Sequence, residues 1–158
     1  MTEDRRATLN AIFVGGLSAG TVDIFSPALI YLVSPVLICK AIASGLLGKP
    51  AFSGGWGVVV LGMLLQWAMS VIIAAIFVAA WKRLAWMRRD WRLAGLLYGV
   101  PVYLVMTYVV RPLSAAWPPA DYSKPVDWAK VGENLLAMLL FGLILAWSAR
   151  RYLSRRSA

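Results

Sequence analysis

Apolar residues along this chain come in long blocks separated by short charged clusters, and neither the strict alternation of strands nor the half-polar stripe of soluble helices is sustained. The longest block is unbroken by charge, with no Asp, Glu, Lys or Arg between Lys49 and Lys82, a run of 32 residues. A helix rising 1.5 Å per residue needs roughly 20 residues to cross a hydrocarbon core, so this run is more than sufficient. The pattern predicts an all-α integral membrane bundle of four transmembrane helices, with spans near 9–32, 55–80, 93–110 and 135–149. It reads as one helical membrane domain over 1–158, without internal repeats or a dividing linker.

Between the first two spans, Ser34-Pro35 suggests a break, while the apolar stretch 36–47 surrounds Lys40 and Ser44, four apart and so on one face. A short interfacial or re-entrant helix is the preferred reading, with continuation of the first helix after a kink as the alternative. Pro27 should loosen the first span, and Pro101 lies within the third. The connection from Pro112 to Pro125 carries four prolines and argues against regular structure, with Trp117, Tyr122 and Trp128 suited to the headgroup layer. Arg5 and Arg6 precede an apolar stretch that runs on past Gly20, so a retained first span is expected rather than a cleaved signal.

Composition supports the membrane reading: 61% of residues are hydrophobic and 15% charged, against the quarter or so typical of soluble domains. The net charge of +9 invites a nucleic-acid reading, but the basic clusters abut apolar spans and suit anionic lipid instead, so no nucleic-acid partner is expected. The N-terminus, the 81–92 connection and the C-terminus carry two, five and four Lys or Arg, eleven in all, against five on the other side. The positive-inside rule then puts both termini in the cytoplasm. Arg111 is expected to snorkel to the headgroup layer on the opposite side.

A single cysteine, Cys39, excludes an internal disulfide, and the absence of histidine removes the usual zinc, haem and general-base chemistries. Asp121, Asp127 and Glu133 share one region, but nothing in their spacing makes an oxygen-ligand loop or an acid–base pair. No enzyme activity, cofactor or metal is expected.

Asp23 is the sharpest polar signal, because a carboxylate facing lipid is costly and should meet a partner, a cavity or the headgroup region. Its candidate network comprises Gln66 and Ser70 from the second span, Tyr98, Tyr103 and Thr107 from the third, and Asn134 near the fourth, with Thr21 and Ser26 as local helpers. The network could fasten helices or handle protons. Gly16, Gly20, Gly62, Gly95 and Gly99 are candidate helix-packing positions, within one bundle or between copies; Gly62, Gln66 and Ser70 form a stripe at four-residue spacing.

The segments Gly15-Gly16-Leu17-Ser18-Ala19-Gly20 with Asp23, Ile42-Ala43-Ser44-Gly45-Leu46-Leu47-Gly48, Gly54-Gly55-Trp56, Leu96-Leu97-Tyr98-Gly99 and Arg111-Pro112-Leu113-Ser114 resemble a YagU-like family of small bacterial inner-membrane proteins. The resemblance covers about two-thirds of the chain and implies a multi-helix inner-membrane location without supplying a reaction. Relatives in that family often carry a histidine near the position of Gln66 and another in the last span. This chain has neither, which weakens any proton-handling role inferred through them. The expected role is that of a non-enzymatic accessory or structural inner-membrane component. Membrane lipids are its expected surroundings, with a homo-oligomer or a membrane-protein partner as options. The rival role is a small transporter or proton- or ion-conducting module, oligomeric and using Asp23.

Overall fold

The computed structural model describes residues 3–30, 32–116, 118–119, 121, 123 and 125–154, with residues 29 and 30 described by backbone alone. Its elements are α1 (Glu3–Ile30), α2 (Pro35–Leu47), a short 3-10 helix (Lys49–Ser53), α3 (Trp56–Arg83), α4 (Ala85–Arg89), α5 (Trp91–Val105), a π turn (Met106–Val110), α6 (Arg111–Leu113) and α7 (Trp128–Leu153). No strand occurs among the described residues. Four helical stretches, Glu3–Ala28, Trp56–Arg83, Trp91–Leu113 and Trp128–Leu153, are long and apolar enough to cross a membrane, which makes this a multi-pass helical membrane protein.

The helices are longer than their apolar centres because polar residues start and stop them. Asp127 accepts the Lys130 backbone N–H at 3.2 Å and begins α7 at Trp128, well before the expected start near 135. That backbone bond, with the Lys130 side chain beside it, holds the Asp127 carboxyl below the usual carboxylate range. Asp90 likewise accepts the Arg92 and Leu93 N–H groups at 3.1 Å and starts α5. The 81–92 connection, read as a plain loop, contains α4. Arg88 donates from there to the Trp81 and Lys82 carbonyls and closes the C-terminal end of α3.

The stretch after the first span is a separate helix and does not continue α1. Ser34 Oγ accepts the Val36 N–H at 3.3 Å and Pro35 takes the first turn, where a missing N–H is harmless. α2 lies against α3, with Ile24, Cys39 and Val59 forming a small core beside Ile42 and Met63. Ser44 lies one helical turn from Lys40, but the face there is covered. Ser44 is fully buried, its hydroxyl donating to the Ala41 carbonyl at 2.6 Å, while Lys40 donates to the Phe52 carbonyl. Pro27 lies within α1, which runs past it to Ile30. Pro112 sits in the turn of α6, and beyond it the described residues of 114–127 form no helix. Trp117 and Tyr122 lie outside the described residues, whereas Trp128 is exposed at the start of α7.

The spans form an arc in the order α3, α1, α7, α5, each packed against the next. The interior is made of small and aromatic residues, including Ala19, Ala74, Phe77, Trp81, Ala94, Phe141 and Ala146, while Leu64, Leu97 and Leu136 point outward and Ile72 and Ile76 line the open side between α3 and α5. Small residues at the helix crossings are expected where lipid replaces water and close backbone approach replaces hydrophobic force. Lys82 pairs with Asp4 at 3.3 Å and donates to Thr8, and Arg150 lies over the Trp91 ring. These contacts gather the start of α1, the end of α3, the start of α5 and the end of α7 at one basic end. At the opposite end the Ala115 N–H donates to the Gly45 carbonyl at 2.9 Å.

Candidate functional site

Asp23 is brought to its partner by the small residues that precede it. A Cβ at Gly16 would fall 2.8 Å from the Val71 Cα, and one at Gly20 would fall 2.5 Å from the Ser70 hydroxyl, so α1 rests almost directly on α3. The two helices run antiparallel, and the next contact along the seam is Gln66, whose Nε2 donates to Asp23 Oδ2 at 2.6 Å. Ten residues separate Trp56 from Gln66. At 1.5 Å each this puts the pair about 15 Å into the span, near the middle of a roughly 30 Å core. Beside it, the Trp67 indole N–H donates to Thr21 Oγ1 at 3.1 Å, and the Thr21 hydroxyl itself donates to the Leu17 carbonyl.

Of the expected network, only Gln66 meets the carboxylate among the described residues. Ser26 donates to the Val22 carbonyl, a bond inside its own helix. Ser70 is buried beneath Gly20. The Tyr98 hydroxyl donates to the Ile73 carbonyl at 2.9 Å and ties α5 to α3, while Tyr103 is buried in α5 and Thr107 lies in the π turn. Asn134 is exposed on α7. The reason is the order of the arc: α1 contacts α3 and α7 but does not face α5, so the polar residues of the third span serve other seams.

The glycines also serve different seams. Gly62 lies under the Cys39 carbonyl and lets α2 rest on α3. Gly95 and Gly99 face α7, where Gly142 completes the crossing; Gly142, Ala146 and Ala149 are small residues at helical spacing, a signal present in the sequence. Ser148, buried against Gly15, donates to the Ala11 carbonyl at 3.0 Å and was not among the expected polar contacts.

Gln66 also lines a cavity of about 330 Å³ between α2, α3 and the Met106–Ser114 segment, so the Asp23 pair lies one side chain behind that space. No group of three or more His, Cys, Asp or Glu side chains converges among the described residues. Asp127 caps α7, and Asp121 accepts the Ser123 N–H and hydroxyl. The arrangement holds helices together through bonds between side chains and to carbonyls. Comparison with protein-family models, curated proteins and solved structures returns no match.

Proposed function

We propose that this chain is a non-enzymatic accessory or structural component of a bacterial inner membrane. The observation that carries the reading is the use of its intramembrane polar groups: Asp23 with Gln66, Thr21 with Trp67, Tyr98 with Ile73 and Ser148 with Ala11 each join two different spans. A buried polar group met in this way fixes one helix arrangement. The inner-membrane assignment draws on the resemblance to the YagU-like family and on the basic clusters.

The experiment is native purification in mild detergent, with mass determination of what remains bound. The accessory reading expects a foreign membrane subunit retained at fixed stoichiometry. A closed homo-oligomer surrounding a polar passage would count against it and favour the second reading, a small conducting module. That second reading draws on one observation, the position of Gln66 between Asp23 and a cavity.

Orientation follows from charge. The N-terminus, the 81–92 connection and the C-terminus carry eleven of the sixteen Lys and Arg of the sequence, so we place the end where α1 starts and α3 finishes in the cytoplasm. With Cys39 replaced by Ala, a cysteine introduced at Pro119 should react with an impermeant reagent from outside, and a reporter fused after Ala158 should be active inside. Cytoplasmic labelling at Pro119 would overturn this orientation.

A further inference from the structure

α3 and α5 are the two ends of the arc, and they do not close on each other. They meet where Tyr98 donates to the Ile73 carbonyl and where its ring stands edge-on to Phe77 at 4.9 Å. Beyond that point a lateral crevice opens between them. Its inner part is a wholly apolar cavity of about 380 Å³, walled by Ile72, Ile76, Pro101 and Val105. Its outer part is the cavity of about 330 Å³ beside α2, and Met69, Met106 and Val110 line both.

The shape has a local cause. Pro101 and Pro112 each lack an N–H, and the ladder slips to a π turn over Met106–Val110, with the Arg111 N–H returning to the Met106 carbonyl. The outer mouth holds Arg111 and Ser114. The Ser114 hydroxyl is used by the Arg111 carbonyl at 2.9 Å, but no carboxylate pairs with the Arg111 guanidinium among the described residues.

We propose that this crevice binds one acyl chain of an anionic phospholipid, with the lipid phosphate held by Arg111. From Tyr98 to Arg111 is about 20 Å of helix, longer than the roughly 15 Å that one leaflet contributes to the core. The apolar walls match a hydrocarbon chain, and the unpaired guanidinium at the mouth matches a phosphate. A transmembrane helix about 10 Å across fills roughly 400 Å³ per turn, so either cavity would hold less than one turn of a partner helix. Gln66 borders the outer part, but neither the chain contacts nor the phosphate contact proposed here uses the Asp23–Gln66 bond.

The test uses the full chain in nanodiscs of equal phosphatidylglycerol and phosphatidylcholine, followed by native mass spectrometry of the released protein. One lipid should remain per chain, with phosphatidylglycerol preferred about fivefold, the contribution of a single basic side chain near a membrane surface. Arg111→Gln should keep a bound lipid and bring the preference to about one. Ile72→Trp should fill the inner crevice and lose the bound lipid at an unchanged melting temperature, and Val105→Trp, from the opposite wall, should do the same if Ile72→Trp fails to fold. The proposal is overturned by a wild type that retains no lipid, by an undiminished preference in Arg111→Gln, or by folded crevice-filling variants that keep their lipid. Added glycerol phosphate that displaces phosphatidylglycerol and stays bound in its place in the same spectra would also overturn it, since that makes the site an anion site without a chain. So would a co-purifying membrane helix held in the crevice.

Discussion

Gly142→Leu should abolish the folded bundle, and Gly142→Ala should already destabilise it by about 1–3 kcal/mol, the range for overpacking a well-filled interior. A Cβ at this position would run into the Gly95 carbonyl oxygen and come within 3.1 Å of the Gly99 N. From the other side, a Cβ at Gly99 would fall 2.5 Å from the Met138 carbonyl oxygen and one at Gly95 would fall 2.8 Å from that of Gly142. These obstacles are backbone atoms, which have no rotamer to escape into, so the helices must separate. Gly132, on the same helix, is the control: its Cβ would meet no atom within 4 Å, and alanine there should be neutral or stabilising because glycine costs about 1 kcal/mol in a helix interior. Thermal melts in detergent and the yield of folded protein from membranes measure both. A Gly142→Leu variant that melts with the wild type would remove the close α5–α7 crossing.

Substitutions at the Asp23–Gln66 pair should be markedly non-additive. Gln66→Leu leaves a carboxylate in the seam with no donor, at a cost of roughly 2.5–3.5 kcal/mol if it stays charged at the centre of a span. Asp23→Leu strands the Gln66 amide instead and should cost about 1–2 kcal/mol, while Asp23→Asn keeps an oxygen for the 2.6 Å bond and should retain most of the stability. Replacing both partners by Leu removes the unmet groups together, so the double variant should be more stable than Gln66→Leu alone. Melting temperatures of the four variants test this. Additive losses would mean that the two side chains do not act on one another.

The spans were legible because the lipid-facing surface demands long apolar runs, and the α1–α3 seam was legible because Gly16, Gly20 and Asp23 lie on one helical face. Gln66 follows from that seam, since an antiparallel partner bearing Gly62, Gln66 and Ser70 at four-residue spacing is the natural complement. What the chain conceals is the order of its helices. Tyr98, Tyr103 and Thr107 are polar residues in an apolar span and look equivalent to Gln66 until the arc places α5 away from α1. The start of α7 at Trp128 was hidden for another reason: polar and charged residues such as Lys130, Glu133 and Asn134 end an apolar window without ending a helix, and the cap at Asp127 decides the boundary. The π turn had a signal in Pro101 and Pro112, but the sequence alone does not say that the ladder slips there and opens the crevice.

In the role proposed for this chain, Asp23 fastens α1 to α3 and carries nothing across the bilayer. The most direct measurement is proton flux into liposomes reconstituted with equal amounts of folded wild type and Asp23→Asn under an imposed pH gradient. Neither should exceed protein-free liposomes. A wild type that conducts, with a flux abolished by Asp23→Asn while the variant remains folded, would contradict that role.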